Sequence, residues 1–460
     1  MKILSTSEKR HISTDTYTVS YEYNEVSRLT RLIYPDTTQI LYSYDDLNRT
    51  TEIKRYIDGV TDEILLDNIQ YDTESLLTQF DYGNSLQSIF TYDSKDRTST
   101  IDVKNGETSF LDLDYTYDNG SNITQLINGW RDTNSDWHSD TEIYSYDGLD
   151  RLTSASCLSW SHTYSYDKAG NRTAKNGITY TLNVINEVTA LSDGTSFTYD
   201  ANGNRTQKTK GNDTWLYTYD YTNRLKKVEK NSELIGEYIY DGDGRRLQKT
   251  ENNETTTYRY SGLSVLYEET MIGTACYIYG PAGLLVKRTT INSESTTFYY
   301  HSDLLGSTRL VTDSSMNIVA AATYHPFGEP SLKEGSEHYL FTGKEKDATG
   351  LYYYGARYYD PYFLEQNNGT KVEMKDKNSV KNESSTNLYN LEETKEECKV
   401  SENNLIDQYD EETVLLQIPQ EDTRVGDVIR KFKNRNKVVD PMIILQERGK
   451  VIAGHVTIEE

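Results

Sequence analysis

Tyrosine and aspartate stand next to each other so often in this 460-residue chain that they are the first candidates for chemistry. The Tyr-Asp step begins at residues 44, 71, 92, 117, 146, 166, 199, 219 and 240, and a variant Tyr-Asn step begins at Tyr23. Asn, Gly and Arg follow many of these aspartates, as in residues 167–172 and 200–205. An aspartate there accepts hydrogen bonds from turn amides, and Asn and Gly tolerate the positive φ of tight turns. The pattern predicts a turn in which an exposed Arg pairs with the Asp, at under about 1 kcal/mol, rather than catalysis.

Two further patterns could bind a metal ion. His301 and Asp303 lie two residues apart on a predicted strand and would share a face, but a zinc site needs more ligands than these two. The run Asp241–Gly244 has two carboxylates at turn spacing, but it lacks the full ligand loop of a calcium site. Ordinary turn and core roles explain both patterns more simply.

Two more candidates are explained by local structure. Asn-Arg-Thr at residues 48, 171 and 204 matches glycosylation sequons, yet the turn pattern produces that tripeptide by itself. His455, which follows Gly454, could be a catalytic base, but an exposed histidine in a hairpin is the simpler interpretation. We therefore predict no catalytic, cofactor-binding or metal-binding residues, and no cofactor.

The elements that position these residues are predicted to be β-hairpins. Tyrosines at i and i+2, as in Tyr217 and Tyr219, fall on one face of a strand, and Thr or Ser between them suits a pleated surface. Successive steps are 20 to 33 residues apart, as in a repeat with variable insertions. Consecutive hairpins would build one long antiparallel sheet.

Composition indicates how that sheet meets water. The chain has 40 Tyr but 9 Phe, so its main apolar side chain carries a polar hydroxyl. We expect a single wall that is wet on both faces and contains something; tyrosine rings sealed between two layers would contradict this. The net charge of −24 argues against nucleic acid as a partner of the main body, because phosphate would be repelled.

The cysteines and the N-terminal residues bear on how the protein is stabilised and where it is located. Three cysteines, at 157, 276 and 398, have no paired spacing, so a disulfide framework or metal knot is not predicted. The N-terminal residues lack the apolar core of a signal peptide, and we predict no transmembrane segment. We expect either the C-terminal part of a longer repeat protein or export by a route without a cleavable signal.

Residues 261–361 carry four distinctive motifs in order: YYHSDLLGSTRLVTD from Tyr299, YHPFGE from Tyr324, FTGKEKD from Phe341 and GLYYYGARYYDP from Gly350. With the Tyr-Asp repeats before them, they resemble bacterial Rhs proteins, in which YD repeats precede an Rhs repeat-associated core. Teneurins and insecticidal toxin C-components share this shell. The resemblance implies an all-β fold of antiparallel hairpins that spiral into a β-shell, here a partial one, which encloses a variable C-terminal effector.

The chain departs from the family after Pro361. The resemblance implies a second acidic residue and self-cleavage beyond this point, but the sequence continues as Tyr362, Phe363 and Leu364 without it. We therefore assign no catalytic role to Asp360 and do not predict autoproteolysis.

We predict four domains: a repeat array at 1–260, the core at 261–361, a disordered linker at 362–410 and a small α+β module at 411–460. The linker is rich in Glu, Lys, Asn and Ser. The module shows a strand at 414–418, a helix at 423–435 and a hairpin at 441–455. It faintly resembles ParB-like nuclease domains, although the expected arginine is absent after Gly454.

Three functions are compatible with this sequence. The first is a shell that encloses and delivers a C-terminal effector in contact-dependent bacterial competition. The second is a repeat protein that binds a cell-surface glycan or protein through its tyrosines. The third makes the module at 411–460 a toxin enzyme; the repeat and core regions are predicted not to be enzymatic. The expected location is secreted or at the cell surface.

Overall fold

The structure is a computed structural model that describes residues 4–12, 15–57, 62–355, 357–363, 365–366, 413–417, 442–447 and 450–455. The chain divides into two compact units, Met1–Leu388 and Tyr389–Glu460. No α-helix is present among the described residues, and the one helical element there is a 3-10 turn at Phe341–Gly343. The predicted all-β class is confirmed.

A sheet of 31 strands makes up most of the first unit. Its strands are β1 Leu4–Ile12, β2 Asp15–Tyr23, β3 Leu29–Ile33, β4 Gln39–Tyr44, β5 Thr50–Tyr56, β6 Glu63–Tyr71, β7 Leu77–Tyr82, β8 Gln87–Tyr92, β9 Thr98–Asn105, β10 Thr108–Tyr117, β11 Ile123–Arg131, β12 Trp137–Tyr146, β13 Leu152–Ser156, β14 Ser161–Tyr166, β15 Arg172–Lys175, β16 Ile178–Leu182, β17 Val188–Leu191, β18 Ser196–Tyr199, β19 Arg205–Lys210, β20 Asp213–Tyr219, β21 Leu225–Lys230, β22 Glu233–Tyr240, β23 Arg246–Glu251, β24 Glu254–Ser261, β25 Ser264–Glu269, β26 Gly273–Gly280, β27 Gly283–Ile291, β28 Glu294–Ser302, β29 Thr308–Asp313, β30 Ile318–Tyr324 and β31 Pro330–Glu334. Each strand pairs antiparallel with the next one along the chain.

The Tyr-Asp steps close the hairpins as predicted. In the turn that joins β4 to β5, Oδ1 of Asp45 accepts hydrogen bonds from the backbone N–H groups of Leu47 and Arg49, each at 2.9 Å. Asn48 has φ of 61°, the left-handed conformation that this turn requires. The aspartate is therefore a turn residue, which ends one strand and begins the next.

The step tyrosines, and Tyr260, Tyr279 and Tyr324 at the equivalent position of later hairpins, join successive hairpins. Each hydroxyl donates a hydrogen bond to a backbone carbonyl of the preceding hairpin, just after its turn: Tyr44 to Leu29, Tyr71 to Thr50, Tyr92 to Leu77, Tyr117 to Thr98, Tyr146 to Ile123, Tyr166 to Leu152, Tyr199 to Val188, Tyr219 to Arg205, Tyr240 to Leu225, Tyr260 to Arg246, Tyr279 to Val265 and Tyr324 to Thr308. This ladder explains why the repeat uses Tyr rather than Phe.

Replacing Tyr92 by phenylalanine is expected to lower the free energy of unfolding by about 0.5–1.5 kcal/mol, because the Leu77 carbonyl loses its donor at 2.7 Å. Urea titration of the full chain measures this. Tyr221 is 95% exposed and is the matched control, so Tyr221→Phe should leave stability unchanged. Equal losses in both variants would show that the ladder does not contribute.

The sheet folds back so that strands β25–β30 are buried on both faces. One large apolar cluster joins residues of β2–β11, such as Leu66 and Phe80, to residues of β25–β30, such as Ile278 and Leu310. Between these layers the Tyr34 hydroxyl donates to the Tyr277 carbonyl at 2.8 Å, and the Tyr82 hydroxyl donates to the Tyr300 carbonyl at 2.8 Å. Double burial accounts for continuous buried runs such as 275–278 and 308–312.

The expectation of a single wall that is wet on both faces is wrong for these strands. Tyr34 and Tyr82 lie in the interior between two layers, and burial raises the pKa of both hydroxyls. Each hydroxyl donates to a backbone carbonyl of the facing layer. A tyrosine-rich repeat can thus build a dry interface, since the ring packs while the hydroxyl finds a buried acceptor.

A small four-stranded sheet follows the meander. Its strands are β32 Glu345–Lys346, β33 Tyr352–Tyr353, β34 Tyr358–Asp360 and β35 Glu365–Gln366, all antiparallel. The packed structure therefore continues beyond Pro361: Phe363 is buried, and β35 pairs with β34. The rest of the predicted linker, from residue 367 to 410, lies outside the described residues.

In the second unit, β36 Thr413–Gln417 pairs parallel with β37 Met442–Glu447, which pairs antiparallel with β38 Lys450–His455. The predicted strand and hairpin are present. The predicted helix at 423–435 lies outside the described residues.

Among the described residues, no helix is long and apolar enough to span a membrane.

Candidate functional site

The feature with the most chemistry is the contact between the meander and the segment that follows it. We call residues 337–363 the inner strip, of which Ala356 is not described, and the sheet face that it covers the inner wall. Four buried clusters join the two: Tyr339 packs with residues of β24–β30, Phe341 with residues of β30, Leu351 and Tyr358 with residues of β20–β22, and Phe363 with residues of β16–β18.

One position recurs in each hairpin from β12 to β25, and in the hairpins from β14 to β25 its residue contacts or clusters with the inner strip. It is the residue that pairs across the turn with the step tyrosine, or with Leu182 in one hairpin, and we call it the return position. Along the sheet these residues are Leu152, Arg172, Val188, Arg205, Leu225, Arg246 and Val265. Apolar residues and arginines alternate strictly over seven successive hairpins.

Arg246 is the most heavily engaged of these residues, and its side chain is 0% exposed. Its Nη1 lies 2.5 Å from Asp347 Oδ2, and its Nη2 contacts Glu345. The guanidinium also lies 4.2 Å from the centre of the Tyr353 ring, as in a cation–π contact. Lys249 contacts Glu345 as well, and the Tyr258 hydroxyl donates to Glu345 Oε1 at 2.8 Å. The result is a buried network of two cations, two carboxylates and their aromatic surroundings.

The charges in this network hold one another ionised. Burial by itself raises the pKa of Glu345, but Lys249 and Arg246 outweigh it, so the pKa lies far below its ordinary value. Burial likewise lowers the pKa of Lys249, and the carboxylates of Glu345 and Asp347 reverse the effect, so that this pKa is raised. Neither group is poised to exchange a proton near neutral pH.

The other two arginines contact the end of the inner strip. Arg205 Nη2 lies 3.1 Å from Asp360 Oδ2, and both side chains are buried. Arg172 Nη2 donates to the Tyr362 carbonyl and to the Tyr180 hydroxyl, each at 2.9 Å. Asp360 also accepts a hydrogen bond from the Tyr362 backbone N–H at 3.1 Å. Its carboxylate is engaged in holding the strip, which is a structural role.

Arginines one position earlier point outwards and join neighbouring turns. Arg97 pairs with Asp93 in its own turn, donates to the Asp118 carbonyl at 2.9 Å and stacks over Tyr117 at 4.4 Å in the next. Arg49, Arg151, Arg224 and Arg245 pair in the same way with the aspartates of their own turns. The predicted pairing of the Arg with the Asp of its turn is confirmed for these residues, but the paired side chains are partly buried rather than exposed.

The prediction that the arginine pairs with the Asp of its turn is wrong for Arg172 and Arg205, whose side chains face the inner strip. In those two turns an asparagine occupies the outward position; Asn204 Nδ2, for example, donates to Asp200 Oδ2 at 2.8 Å. A shift of one residue along a strand moves the side chain to the opposite face. The run Asn-Arg after a turn Gly was the signal in the sequence.

The residues of the two candidate metal sites have other partners in the structure. His301 is buried against Tyr82, its Nε2 lies 2.9 Å from Thr312 Oγ1, and burial lowers its pKa to about 3. Asp303 instead accepts the Leu305 and Ser307 N–H groups of its own turn. At the calcium candidate, the Arg245 guanidinium lies between Asp241 and Asp243, at 2.8 and 2.9 Å, and takes the place of a cation.

The asparagines of the three glycosylation sequons differ in solvent exposure. Asn171 and Asn204 are buried and hydrogen-bonded within and between turns, whereas Asn48 is exposed at a turn. His455 lies at the end of β38, and its side chain is outside the described part of the chain.

Within the described ranges, one group has metal-ligand spacing: oxygen and nitrogen atoms of Glu268, His338 and Glu345 lie within 4.8 Å of one another. Tyr277 and Tyr339 hydroxyls donate to Glu268 at 2.9 and 2.6 Å, and Arg246 and Lys249 neutralise Glu345. A divalent ion would have to displace these partners, so we interpret the group as part of the ion-pair network.

The sequence matches known proteins over most of its length. Residues 66–394 match the family described as teneurin YD-shell. Two curated relatives are the tRNA3(Ser)-specific nuclease WapA of Bacillus spizizenii, 31% identical over 54% of this chain, and the toxin subunit YenC1 of Yersinia entomophaga, 39% identical over 14% of it. The matches span 9% and 7% of those proteins, so the chain corresponds to a small part of each.

Solved structures share the fold. A complex of TcdB2, TccC3 and Cdc42 superposes with a TM-score of 0.67 at 20% identity, over 79% of this chain and 22% of that one. The Photorhabdus luminescens Tc holotoxin pore gives 0.65 at 19% identity, over 80% and 21%. The predicted β-shell resemblance is confirmed.

Proposed function

This chain belongs to the teneurin YD-shell family, and from that premise we propose that it is the closing end of an Rhs-type shell that encloses and delivers a C-terminal effector in contact-dependent bacterial competition. The observation that carries the proposal is the inner strip, which lines the wall through buried charge and aromatic packing. The strip therefore stays against the inner wall as far as Phe363.

Similar proteins support the effector role. The matched relatives include proteins named as tRNA nucleases and toxin subunits, and the chain corresponds to a small fraction of each. A shell that surrounds cargo would then need more wall than these 31 strands, because β25–β30 fill the space beside β2–β11. We infer secretion or cell-surface delivery as the location.

The glycan-binding alternative is less well supported. Stacking on a sugar ring needs an accessible tyrosine face. The step tyrosines instead turn towards the interior, and their hydroxyls donate hydrogen bonds to backbone carbonyls. The third function, a toxin enzyme at residues 411–460, rests on side chains outside the described residues and stays a prediction.

A competition experiment tests the proposal. The bacterium that encodes the chain is grown with a susceptible strain, and a strain that lacks the codons for 389–460 is the comparison. We expect the intact strain to outgrow the susceptible one and the deletion to remove that advantage. Equal growth with both strains would contradict effector delivery.

A further inference from the structure

We propose that the alternating return positions form a docking track that fixes the register of the inner strip, with Arg246, Arg205 and Arg172 as its positioning residues. The track fits a segment that presents carboxylates and apolar side chains in the order of the hairpins, which here is the inner strip with its short antiparallel strands β32–β34. This goes beyond the proposed function, since it concerns how the wall recognises its lining whether or not an effector is carried.

The strip matches the track residue by residue. From one end to the other, Val265 shares a cluster with Tyr339, Arg246 binds Glu345 and Asp347, Leu225 shares a cluster with Leu351 and Tyr358, Arg205 binds Asp360, and Val188 shares a cluster with Phe363. At these five positions, apolar residues meet apolar residues and arginines meet carboxylates in the same order along both partners; Arg172, the next position, instead contacts Tyr362, which precedes Phe363.

Charge rather than apolar packing can set this register. Aromatic and aliphatic contacts tolerate sliding, because one apolar surface replaces another at little cost. A displaced strip would instead leave Arg246 and Arg205 buried against apolar side chains and leave Asp347 and Asp360 without a cation. Breaking one buried pair costs about 3–5 kcal/mol, so a shifted register is excluded by its unpaired charges.

Arg172 marks the end of the track. It holds the Tyr362 carbonyl rather than a carboxylate, and aromatic rings of Tyr164, Tyr180 and Phe327 surround its guanidinium at 5.1–5.8 Å. A backbone carbonyl is offered by any residue, so this contact positions the chain without selecting the side chain at 362. The last contact that selects a side chain by its charge is therefore the pair of Arg205 and Asp360.

Hydrogen exchange of the full chain, read by mass spectrometry, tests the track. Arg205→Leu is expected to raise exchange of peptides covering 352–363 at least about 100-fold, since Asp360 is left buried and unpaired. Arg205→Lys keeps the charge and should retain most of the protection. Arg224→Leu is the matched control, because Arg224 pairs with Asp220 in the turn of the hairpin that follows Arg205. We expect this variant to leave hydrogen exchange of the strip unchanged.

The double variant Arg205→Leu with Asp360→Leu separates positioning from stability. Under the proposal its melting temperature recovers, while residues 358–363 exchange as more than one population, because Arg246 fixes only the part of the strip that carries Glu345 and Asp347. Wild-type protection of 352–363 in this double variant, or in Arg205→Leu alone, would overturn the proposal. If Arg205→Leu does not fold, the double variant and Arg205→Lys decide it. Loss of bacterial competition does not enter this test.

Discussion

Replacing Arg246 by methionine is expected to lower the free energy of unfolding by about 3–5 kcal/mol, because it leaves Glu345 and Asp347 buried without their main counter-charge. Methionine fills much of the same space, so the loss comes from electrostatics rather than from a cavity. Lys249 remains beside both carboxylates and partly compensates. Urea unfolding of the full chain, followed by tyrosine fluorescence, measures the effect.

Arg245→Met is the matched control for Arg246→Met. Arg245 is the neighbouring residue and pairs with Asp241 and Asp243 of its own turn; Asp243 is 68% exposed, whereas the side chains of Arg245 and Asp241 are only 10% and 11% exposed. Its loss should cost less than the loss of Arg246, because Asp243 is exposed to water and Asp241 keeps the backbone hydrogen bond of its turn. Equal costs at positions 245 and 246 would contradict the assignment of one residue to the turn and the other to the inner strip.

Replacing Tyr34 by alanine is expected to cost about 3–5 kcal/mol, since it opens a cavity between the two layers of the sheet. Tyr34 is 1% exposed, and its hydroxyl bonds to the Tyr277 carbonyl at 2.8 Å across the interface. The buried carbonyl would lose its donor in addition to the lost packing. The same urea titration gives the value.

Tyr221→Ala is the control, because Tyr221 is 95% exposed and its removal should change stability by less than about 0.5 kcal/mol. The comparison decides between two descriptions of the wall. If tyrosines lined a single water-filled wall, Tyr34→Ala and Tyr221→Ala would cost similar amounts. A large difference supports layers that pack against each other.

The hairpins and their turns could be predicted from the sequence because their causes are local. Asp45 contacts amides two and four residues away, and alternation places Tyr217 and Tyr219 on one face. The order of the strands in the sheet could be predicted as well, because each hairpin pairs with the next one along the chain. The YD-shell resemblance could also be recognised, because it rests on four short sequence motifs that occur in a fixed order along the chain.

The roles of the arginines could not be predicted from local pattern alone. Arg97 and Arg205 both follow a turn aspartate, but one lies four residues after it and the other five. That single step decides whether the guanidinium joins two turns or binds Asp360. The prediction treated both as turn cations because the partner of Arg205 is 155 residues away.

By itself the sequence determined that this protein is a meander of Tyr-Asp hairpins with short polar turns, since those interactions lie within one or two hairpins. Only the tertiary structure decided that the sheet folds back on itself and that an alternating wall holds the inner strip. Tyr34 and Tyr277 are 243 residues apart, and Arg246 and Asp347 are 101 apart. Contacts over such separations depend on how the whole sheet curves, which no local pattern of residues specifies.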